Sequence, residues 1–498
     1  MTKGKLRQKA GYDVIIVGGG ITGLTAAWLL QRHTSCRFAL LEADSRLGGK
    51  IGTEHVRVPS VGSLLLERGP DALLTTGGKA LDLVRELNLN DHLLPMRSPD
   101  LPVYLFIETS GAKEGTTLPL PTGLHMNLPT QFLTLARSRV PPWHGKLRAL
   151  LELALPASNI PENADESVGR FIRRRFGAGV LEHLAEPLLS GIFNTDPDEL
   201  SLLATLPRLR ALERRYGSVL RGLRRERTTK HRPAWPFVSF QAGMGSLIDA
   251  LTRALPVDCV HTNSPVQRIE RHEKGGYRIL LTRRDAGSVS RDAIHRVSTE
   301  TLHARAVFIT TPARAAGDML SSIAPRASEE LRALAVTSSA ALYAAFHKDD
   351  VPHKLQGSGL LIPKRHARVI NAMTWASSKF AHRAPPDVAL LRLFMGGGRN
   401  PQLLERPEAE IQQQALADVN RLLRIRARPL FTKLYTWHHR IPQYRVGHLD
   451  RINTIESGLP RGVFVAGASL RGASIDACIA RAKAGVEQIQ SLCNTRPI

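Results

Sequence analysis

Three glycines provide the first candidate chemistry in this chain. Gly18, Gly20 and Gly23 follow the apolar run Tyr12 to Val17 at the spacing G-x-G-x-x-G. The run predicts a buried parallel strand, and the apolar spacing from Ile21 to Arg32 predicts the helix that follows it. In such a unit the glycines permit a tight turn, a close approach of a pyrophosphate to the backbone, and close helix–strand packing. We predict an adenine dinucleotide site with the pyrophosphate at the helix N-terminus.

A carboxylate completes this fingerprint. Glu42 follows the next predicted strand, Arg37 to Leu41, and lies 19 residues after Gly23. A carboxylate at this place accepts hydrogen bonds from a ribose and disfavours a 2′-phosphate. Gly19, Ile21 and Thr22 belong to the same predicted turn. The alternative is a glycine-rich turn in some other α/β protein.

The residues after Glu42 favour FAD over NAD. Arg46 to Ile51 reads R-L-G-G-K-I, which resembles the R-x-G-G-[RK] stretch of the flavin oxidoreductases that include monoamine oxidases and phytoene desaturases. Glycine here permits a close backbone pass along the cofactor, so we predict contacts from Gly49 and Lys50. The alternative is an ordinary flexible loop between a strand and a helix.

The C-terminal region resembles the end of a dinucleotide domain. An apolar strand at 461–466 is followed by Gly467 and then by a predicted helix from Ile475 to Leu492. This order predicts Gly467 near the pyrophosphate and the helix N-terminus beyond Gly472 directed at the flavin. The predicted fold class is therefore α/β, α+β overall, with a Rossmann-like domain assembled from discontinuous segments.

Composition limits the classes of partner. The chain has 498 residues, 43% hydrophobic residues and a net charge of +24, which predicts two or three domains and anionic partners. No zinc finger or aromatic-interleaved basic motif is visible, so we expect no nucleic-acid binding. Residues 1–10 are basic and polar and predict a disordered tail rather than a signal peptide. We expect no membrane-spanning helix, and four dispersed, reduced cysteines in a cytoplasmic protein.

The middle of the chain predicts further elements. Strands at 336–346, 359–362, 369–375 and 388–395 predict a separate antiparallel sheet. A helix from Leu181 is expected to stop at Pro187, and Arg283 to Thr301 to form an exposed hairpin insertion. Residues 207–232 carry ten Lys or Arg against two Glu. They predict a solvated helical face or a disordered loop, with a membrane or partner surface as the alternative.

Eight stretches distributed along the chain carry a resemblance to a known family. They are V-G-G-G-I-T-G-L, R-L-G-G-K-I, L-E-R-G-P-D, A-E-P-L-L-S-G-I, D-P-D-E-L-S-L, M-T-W-A-S-S-K-F, W-H-H-R-I-P-Q-Y-R-V-G-H and A-G-A-S-L-R-G. The last two and E-P-L-L-S-G-I are narrower than the glycine fingerprint. With them, nearly the whole chain, residues 11–490, resembles the bacterial oxygen-dependent protoporphyrinogen IX / coproporphyrinogen III oxidases of haem synthesis, members of the flavin amine oxidase superfamily.

The resemblance implies the cofactor contacts position by position. They are Gly18, Gly19, Gly20, Ile21, Thr22, Gly23, Glu42, Arg68, Gly69, Pro70, Asp71, Val266, Trp437, Ala473, Ser474 and Ile475. Val266 is expected at the end of a strand, where a backbone N–H and C=O could hold adenine. For Trp437 the alternative is a buried core aromatic.

The resemblance also implies a division of the chain and a reaction. A FAD-binding domain would comprise residues 11–74, 241–312 and 432–498, and a substrate-binding domain residues 75–100, 188–240 and 313–431. A helical, membrane-facing part would span residues 101–187. Successive hydride transfers from a porphyrinogen to the flavin, with O2 as acceptor and H2O2 as product, need no catalytic side chain and no metal. Further implied partners are the inner membrane face, contacted peripherally, and a downstream ferrochelatase that receives the porphyrin.

The substrate of that reaction is apolar in its body and carries propionates at its rim. Arg or Lys would anchor these carboxylates. Our first candidate is Arg392, in the stretch L-L-R-L-F-M-G, and Lys79 and Arg440 follow. For each of the three the alternative is a plain surface charge. No residue distinguishes coproporphyrinogen from protoporphyrinogen, although the positive charge favours the former.

Two departures from the family pattern stand near the predicted flavin. The usual G-[VI]-G-[IV]-P-[DG]-C is G-A-S-I-D-A-C here, with Ser474 and Asp476 in place of Gly and Pro. We expect both side chains to alter the flavin environment. A basic residue that some relatives carry after G-P-D is replaced by the turn 75–78, beside Lys79.

Three other functions remain open from the residues. One is a different FAD oxidase or desaturase of amine or carotenoid type, which would share only the first fifty residues. Another is a flavin- or porphyrin-binding protein without activity. The third is a basic scaffold on membranes or nucleic acid, which would bind no flavin.

Overall fold

A computed structural model describes residues 11–108, 115–120, 124–125, 128–129, 140, 143–226, 235–284 and 297–494. The strands are Tyr12–Val17 (β1), Phe38–Leu41 (β2), Thr53–Val58 (β3), Gly62–Glu67 (β4), Leu73–Leu74 (β5), Leu93–Pro95 (β6), Val103–Ile107 (β7), Thr116–Pro119 (β8), Leu124–His125 (β9), Leu128–Pro129 (β10), Phe237–Phe240 (β11), Val260–His261 (β12), Val266–Arg271 (β13), Tyr277–Arg284 (β14), Val297–Ile309 (β15), Val336–His347 (β16), Gly359–Leu361 (β17), Ile370–Trp375 (β18), Val388–Gly396 (β19), Phe431–Pro442 (β20) and Val463–Val465 (β21).

Of the α-helices that the described residues form, seven lie between β10 and β11. The α-helices are Ile21–His33 (α1), Lys79–Glu86 (α2), Trp143–Leu150 (α3), Val168–Phe176 (α4), Ala178–Val180 (α5), Glu186–Phe193 (α6), Leu202–Thr205 (α7), Pro207–Tyr216 (α8), Val219–Arg225 (α9), Gly245–Arg253 (α10), Ala313–Leu320 (α11), Pro325–Ala333 (α12), Ala376–Lys379 (α13), Glu408–Leu423 (α14), His448–Gly458 (α15) and Ile475–Asn494 (α16). The predicted tail, residues 1–10, lies outside the described residues.

The first sheet carries the glycine fingerprint. Its order is β12-β2-β1-β15-β14-β13, with β21 also paired to the end of β15. The pairs among β12, β2, β1, β15 and β21 are parallel. Val14 and Ile16 of β1 pack with α1, α10 and α16, whereas Ile15 and Val17 pack with α11, α12 and α15. Burial on both faces explains why β1 is continuously apolar.

The second sheet has the order β20-β16-β19-β18-β17-β7-β8, and all its pairs except β17–β7 are antiparallel. The predicted strands β16 to β19 therefore form one sheet. Strands β7 and β8 join it although the resemblance assigned residues 101–187 to a helical part, and β20 joins it although residues 432–498 were assigned to the FAD domain. These pairings link residues far apart in sequence, which local patterns do not encode. We keep the three-part division as a proposal, with these strands moved to the second sheet.

One local prediction was wrong, and another, the hairpin at 283–301, agrees with the described strands at its two ends. Pro187 does not stop its helix: Leu181–Ala185 is a π-helical stretch and Glu186–Phe193 continues it, with Pro187 in the first turn. The π-helical stretch that directly precedes Pro187 accommodates the proline, whose ring and missing N–H would disrupt a regular α-helical hydrogen-bond pattern. The predicted exposed hairpin at 283–301 is in part the continuation of β14 and β15, which pair with each other up to Arg284 and Val297. The residues between them lie outside the described part.

The basic stretch 207–232 is not simply a solvated face. Residues up to 226 form α8 and α9, and 227–232 lie outside the described part. Within α8, Arg210 is 2% exposed and lies 2.8 Å from the Glu166 carboxylate. Glu213 is also buried and is paired with Arg174. Charge in this stretch therefore also holds the helical part together, because buried charges are retained when they are paired.

Candidate functional site

The glycine turn has the geometry that the fingerprint predicts. Gly18 has φ +109°, in the region that favours glycine. A Cβ on Gly23 would overlap the Gly18 carbonyl oxygen, because α1 begins directly against the end of β1. A Cβ on Gly20 would meet nothing within 4 Å. The backbone at Gly20 therefore faces open space at the start of α1, where no described side chain caps the first turn.

The R-L-G-G-K loop lies on this turn. The Gly48 N–H donates to the Gly19 carbonyl at 2.8 Å, and Gly48 forms a parallel bridge with Gly20. Gly49 has φ +58°, and a Cβ there would stand 3.3 Å from the Gly20 Cα. The Arg46 guanidinium fixes the loop by donating to the Leu47 and Ile51 carbonyls, each at 3.0 Å. Two motifs separated in sequence thus form one surface.

Glu42 closes one side of that surface. Its carboxylate accepts hydrogen bonds from the N–H of Gly19 at 2.6 Å and from the N–H of Asp44 at 2.9 Å. Its carbonyl accepts from the Ser264 N–H at 2.8 Å, which brings the start of β13, and with it Val266, to the same corner. The partly exposed carboxylate keeps further acceptor capacity for a ribose, since each oxygen has two lone pairs.

The N-terminus of α16 converges on the N-terminus of α1. Thr22, in the first turn of α1, interacts with the Cys478 thiol of α16, whose pKa is raised by burial. Ser474 is exposed, and its hydroxyl accepts the Ala477 N–H at 3.1 Å, so this departure from the family pattern caps α16. Gly467, between β21 and α16, has φ +123°. Two helix N-termini, each favourable to an anion, therefore face the same place.

Lys50 and Arg440 bring positive charge to the same region. The pKa of the Lys50 amine is lowered by burial, with a smaller contribution from the Arg440 guanidinium, while Cys478 acts in the opposite direction. Arg440 itself is exposed near the end of β20. Two cations that repel one another mark a place suited to an anionic ligand.

Arg68 to Asp71 forms the far side of the site. The Arg68 carbonyl accepts a hydrogen bond from Trp437 Nε1 at 3.3 Å and a long one from Arg392 Nη2 at 3.5 Å. Trp437 is partly exposed rather than a buried core residue. Asp71 is paired with the Lys379 ammonium at 2.9 Å. Burial raises the pKa of the Asp71 carboxyl, but Lys379 and Arg392 outweigh it and hold the pKa below its ordinary value.

The three predicted substrate anchors lie in different surroundings. Arg392 is 4% exposed on β19 and its guanidinium stacks over Tyr343 at 5.4 Å and Phe394 at 4.8 Å. Lys79 is exposed and lines a surface groove of about 400 Å³ formed with α1 and α16. Arg440 is exposed beside Lys50. The structure thus brings Arg392 and Arg440 to predicted cofactor segments, and leaves Lys79 on an outer groove.

Some residues of the site were missed in the sequence. Lys379, the partner of Asp71, lies in the stretch M-T-W-A-S-S-K-F. The motif was therefore visible in the sequence, but the sequence did not show that its lysine contacts Asp71. Thr310 follows β15, and its hydroxyl donates to the Gly18 carbonyl at 2.9 Å. Glu67 is 2% exposed, and its carboxylate accepts from the Met244 N–H at 2.8 Å and from the Thr53 hydroxyl at 2.7 Å. Glu67 differs from other acids only in being buried, and burial depends on the tertiary structure, so the sequence did not single it out.

Glu67 should make stability fall as pH rises. Burial raises the pKa of its carboxyl from 4.5 to about 7. Between these values the folded chain binds a proton that the unfolded chain has lost, so the free energy of unfolding decreases with pH, by about 3 kcal/mol in total. Glu67→Gln removes this decrease. Melting temperatures of both proteins at pH 5 and pH 8 test it, and parallel pH dependences would contradict it.

Comparison with known proteins decides the family. Residues 21–490 match the family model described as flavin containing amine oxidoreductase. The chain belongs to this family of flavoproteins. Coproporphyrinogen III oxidase of Bacillus subtilis is 32% identical over 489 residues, which cover 95% of this chain and 97% of that protein. Protoporphyrinogen oxidase 2 of Arabidopsis thaliana is 27% identical over 502 residues, 96% of this chain and 93% of its own.

Solved structures with the same fold support the assignment to this family. A crystal structure from Exiguobacterium sp. 255-15 has a TM-score of 0.80 and 29% identity and covers 97% of this chain and 99% of its own. Cyclohexylamine oxidase from Brevibacterium oxydans shares the fold, with a TM-score of 0.66, 18% identity, and coverage of 97% and 100%. The cofactor of this family of flavoproteins is FAD. Open space at Gly20 and two converging helix N-termini fit its pyrophosphate.

Proposed function

We propose that this protein oxidises a porphyrinogen, coproporphyrinogen III or protoporphyrinogen IX, to the porphyrin in haem biosynthesis, with O2 as acceptor and H2O2 as product. The observation that carries the proposal is end-to-end similarity to relatives named coproporphyrinogen III oxidase and protoporphyrinogen oxidase. Release of the porphyrin to a ferrochelatase belongs to the same proposal. Oxidation of amines is less well supported, because the solved amine oxidase matches at 18% identity and shares the fold alone.

In this reaction the described residues would bind and orient the cofactor and substrate, and a nucleophilic side chain is not required of them. The turn at Gly20 and the starts of α1 and α16 would hold the phosphates, while Glu42 would hold a ribose. Trp437 and Arg392 both donate to the Arg68 carbonyl, so they fix the segment Arg68 to Asp71 that would lie along the cofactor. Bound FAD supplies the hydride acceptor, and the protein supplies position and electrostatics.

Arg392 is the best supported anchor for a substrate carboxylate. Among the described residues, no carboxylate lies within 4.0 Å of its guanidinium, and its buried Nε has no hydrogen-bond partner. The nearby acid, Asp71, is paired with Lys379 instead. A buried cation without a paired anion costs several kcal/mol. We infer that it is retained because an anionic ligand completes the pair, with Arg440 as a second, exposed anchor and Lys79 as a third.

Two assays test the proposed function. The purified protein should be yellow, and its flavin should bleach when a porphyrinogen is added without air. With air, fluorescent porphyrin and H2O2 should form. The net charge of +24 favours the substrate with more carboxylates, so we expect a higher kcat/KM for coproporphyrinogen III than for protoporphyrinogen IX. A yellow protein that never bleaches would support a binding protein without activity, and a colourless protein that refuses FAD would exclude both.

Peripheral contact with an anionic membrane is a further part of the proposal. Three apolar side chains spaced four residues apart are exposed: Trp143 (75%) and Leu147 (54%) in α3, and Leu151 (51%) in the 3₁₀ turn that follows it. Such a face on a basic protein suits an anionic lipid surface. Over the described part of the chain, no helix is long and apolar enough to cross a bilayer.

The double substitution Trp143→Ser and Leu147→Ser should therefore weaken membrane binding. We expect the double variant to lose about tenfold in partition onto vesicles containing phosphatidylglycerol, because two large apolar side chains no longer insert. Flotation of the vesicles measures it. Val257→Ser is the matched control, since Val257 is 74% exposed elsewhere on the molecule. Equal flotation of the wild-type protein, the double variant and the control would contradict the proposed membrane contact.

A further inference from the structure

A carboxylate at the start of α16 binds a different helix. The Asp476 Oδ1 atom accepts a hydrogen bond from the Ala80 N–H at 2.9 Å, in the first turn of α2. A Cβ on Gly77 would stand 2.7 to 2.9 Å from the atoms of the same carboxyl group. The carboxyl group of Asp476 is thus seated against Gly77 and the N-terminus of α2. It does not continue the cap of its own helix, which Ser474 provides.

Helix α2 depends on this carboxylate for its cap. Its N-cap residue is Gly78, with φ +84°, and no side chain of that residue can accept the first N–H groups. A carboxylate near a helix N-terminus satisfies these groups and interacts favourably with the helix dipole. The cap comes from a residue 396 positions away in sequence from Ala80. It therefore fixes two distant segments to each other as well as stabilising α2.

These two segments carry predicted cofactor contacts. Ala473, Ser474 and Ile475 directly precede Asp476, and the segment Arg68 to Asp71 leads through β5 into the turn before α2. We infer that Asp476 is a positioning residue: by capping α2 it sets the separation of these two segments and thereby the fit of FAD between them. The inference rests on the proposed function only in placing FAD there. Asp476 itself would touch no reacting atom of FAD or of the substrate.

The contact between Gly77 and Asp476 makes a double-mutant cycle informative. Asp476→Ala removes the carboxylate, and Gly77→Ala displaces it without requiring a positive φ. We expect each single variant to bind FAD about fivefold more weakly, because FAD binding would then have to order a helix start that has lost its cap. Because both act through one contact, Gly77→Ala should have almost no further effect in the Asp476→Ala background. Asp476→Asn, which keeps an acceptor oxygen, should restore most of the affinity.

The readouts separate positioning from stability alone. Dissociation constants of FAD and the visible spectrum of the bound flavin are measured on the full chain, with melting temperatures of the FAD-free forms alongside. Asp82→Ala is the matched control, since Asp82 is another acid in the first turn of α2 and pairs with Arg85. Unchanged FAD affinity and spectrum in Asp476→Ala, or additive effects in the cycle, would overturn the inference. If the wild-type chain itself failed to bind FAD, the proposed function would fall instead.

Discussion

Gly20→Val should weaken the binding of FAD severely and leave the fold intact. The added side chain enters open space, since a Cβ at Gly20 meets no atom within 4 Å. That space is where the pyrophosphate would approach the start of α1. We expect the dissociation constant of FAD to rise by at least about 100-fold, equivalent to about 2.7 kcal/mol. Fluorescence titration with FAD measures the affinity, and the melting temperature of the FAD-free protein reports the fold.

Gly23→Ala is the control for this prediction, because it should destabilise the fold rather than block the space for FAD. There a Cβ would overlap the Gly18 carbonyl oxygen and come within 2.8 Å of the Thr310 hydroxyl. The FAD-free protein should therefore melt at a lower temperature, since α1 can no longer pack against the end of β1. If Gly20→Val bound FAD normally, the dinucleotide site would have to lie elsewhere in the chain.

Arg392→Met should lower kcat/KM for the porphyrinogen by about 30-fold, chiefly through KM, without destabilising the protein. A charge-assisted hydrogen bond to a carboxylate contributes about 1.5–3 kcal/mol. Arg392 attracts the Asp71 carboxylate, but the direct partner of that carboxylate is Lys379, so the loss of this attraction is offset by the removal of a buried charge that no described carboxylate pairs. We therefore expect an unchanged or higher melting temperature together with weaker substrate binding. Steady-state kinetics and thermal unfolding on the same preparation measure both.

A paired arginine provides the comparison for Arg392. Arg399 is nearly buried and its guanidinium pairs with the Glu186 carboxylate. Arg399→Met leaves that acid without its partner, so we expect a lower melting temperature. An unchanged KM in Arg392→Met would remove Arg392 from the list of anchors. A lowered melting temperature in that variant would show that the guanidinium serves the fold instead.

Local patterns were sufficient to predict the strand–turn–helix unit that carries the glycine fingerprint. Strand β1 begins and ends where the apolar run does, and α1 differs from its prediction by one residue. The glycine spacing is informative because each glycine meets a steric requirement within a single strand–turn–helix unit. The same local rules failed at Pro187, where a π-helical stretch absorbs the proline. Neighbouring residues alone do not specify that irregularity.

The sequence by itself determined the fold class, the cofactor and the family. These follow from short motifs whose glycines and acids are required by local sterics and hydrogen bonding, and from a similarity to one family that extends through the chain. Only the tertiary structure decided which cation is buried without an acid, that Asp476 turns to α2, and that β7, β8 and β20 complete the second sheet. Each of these depends on contacts between residues far apart in sequence, and burial and charge pairing exist only once such contacts have formed.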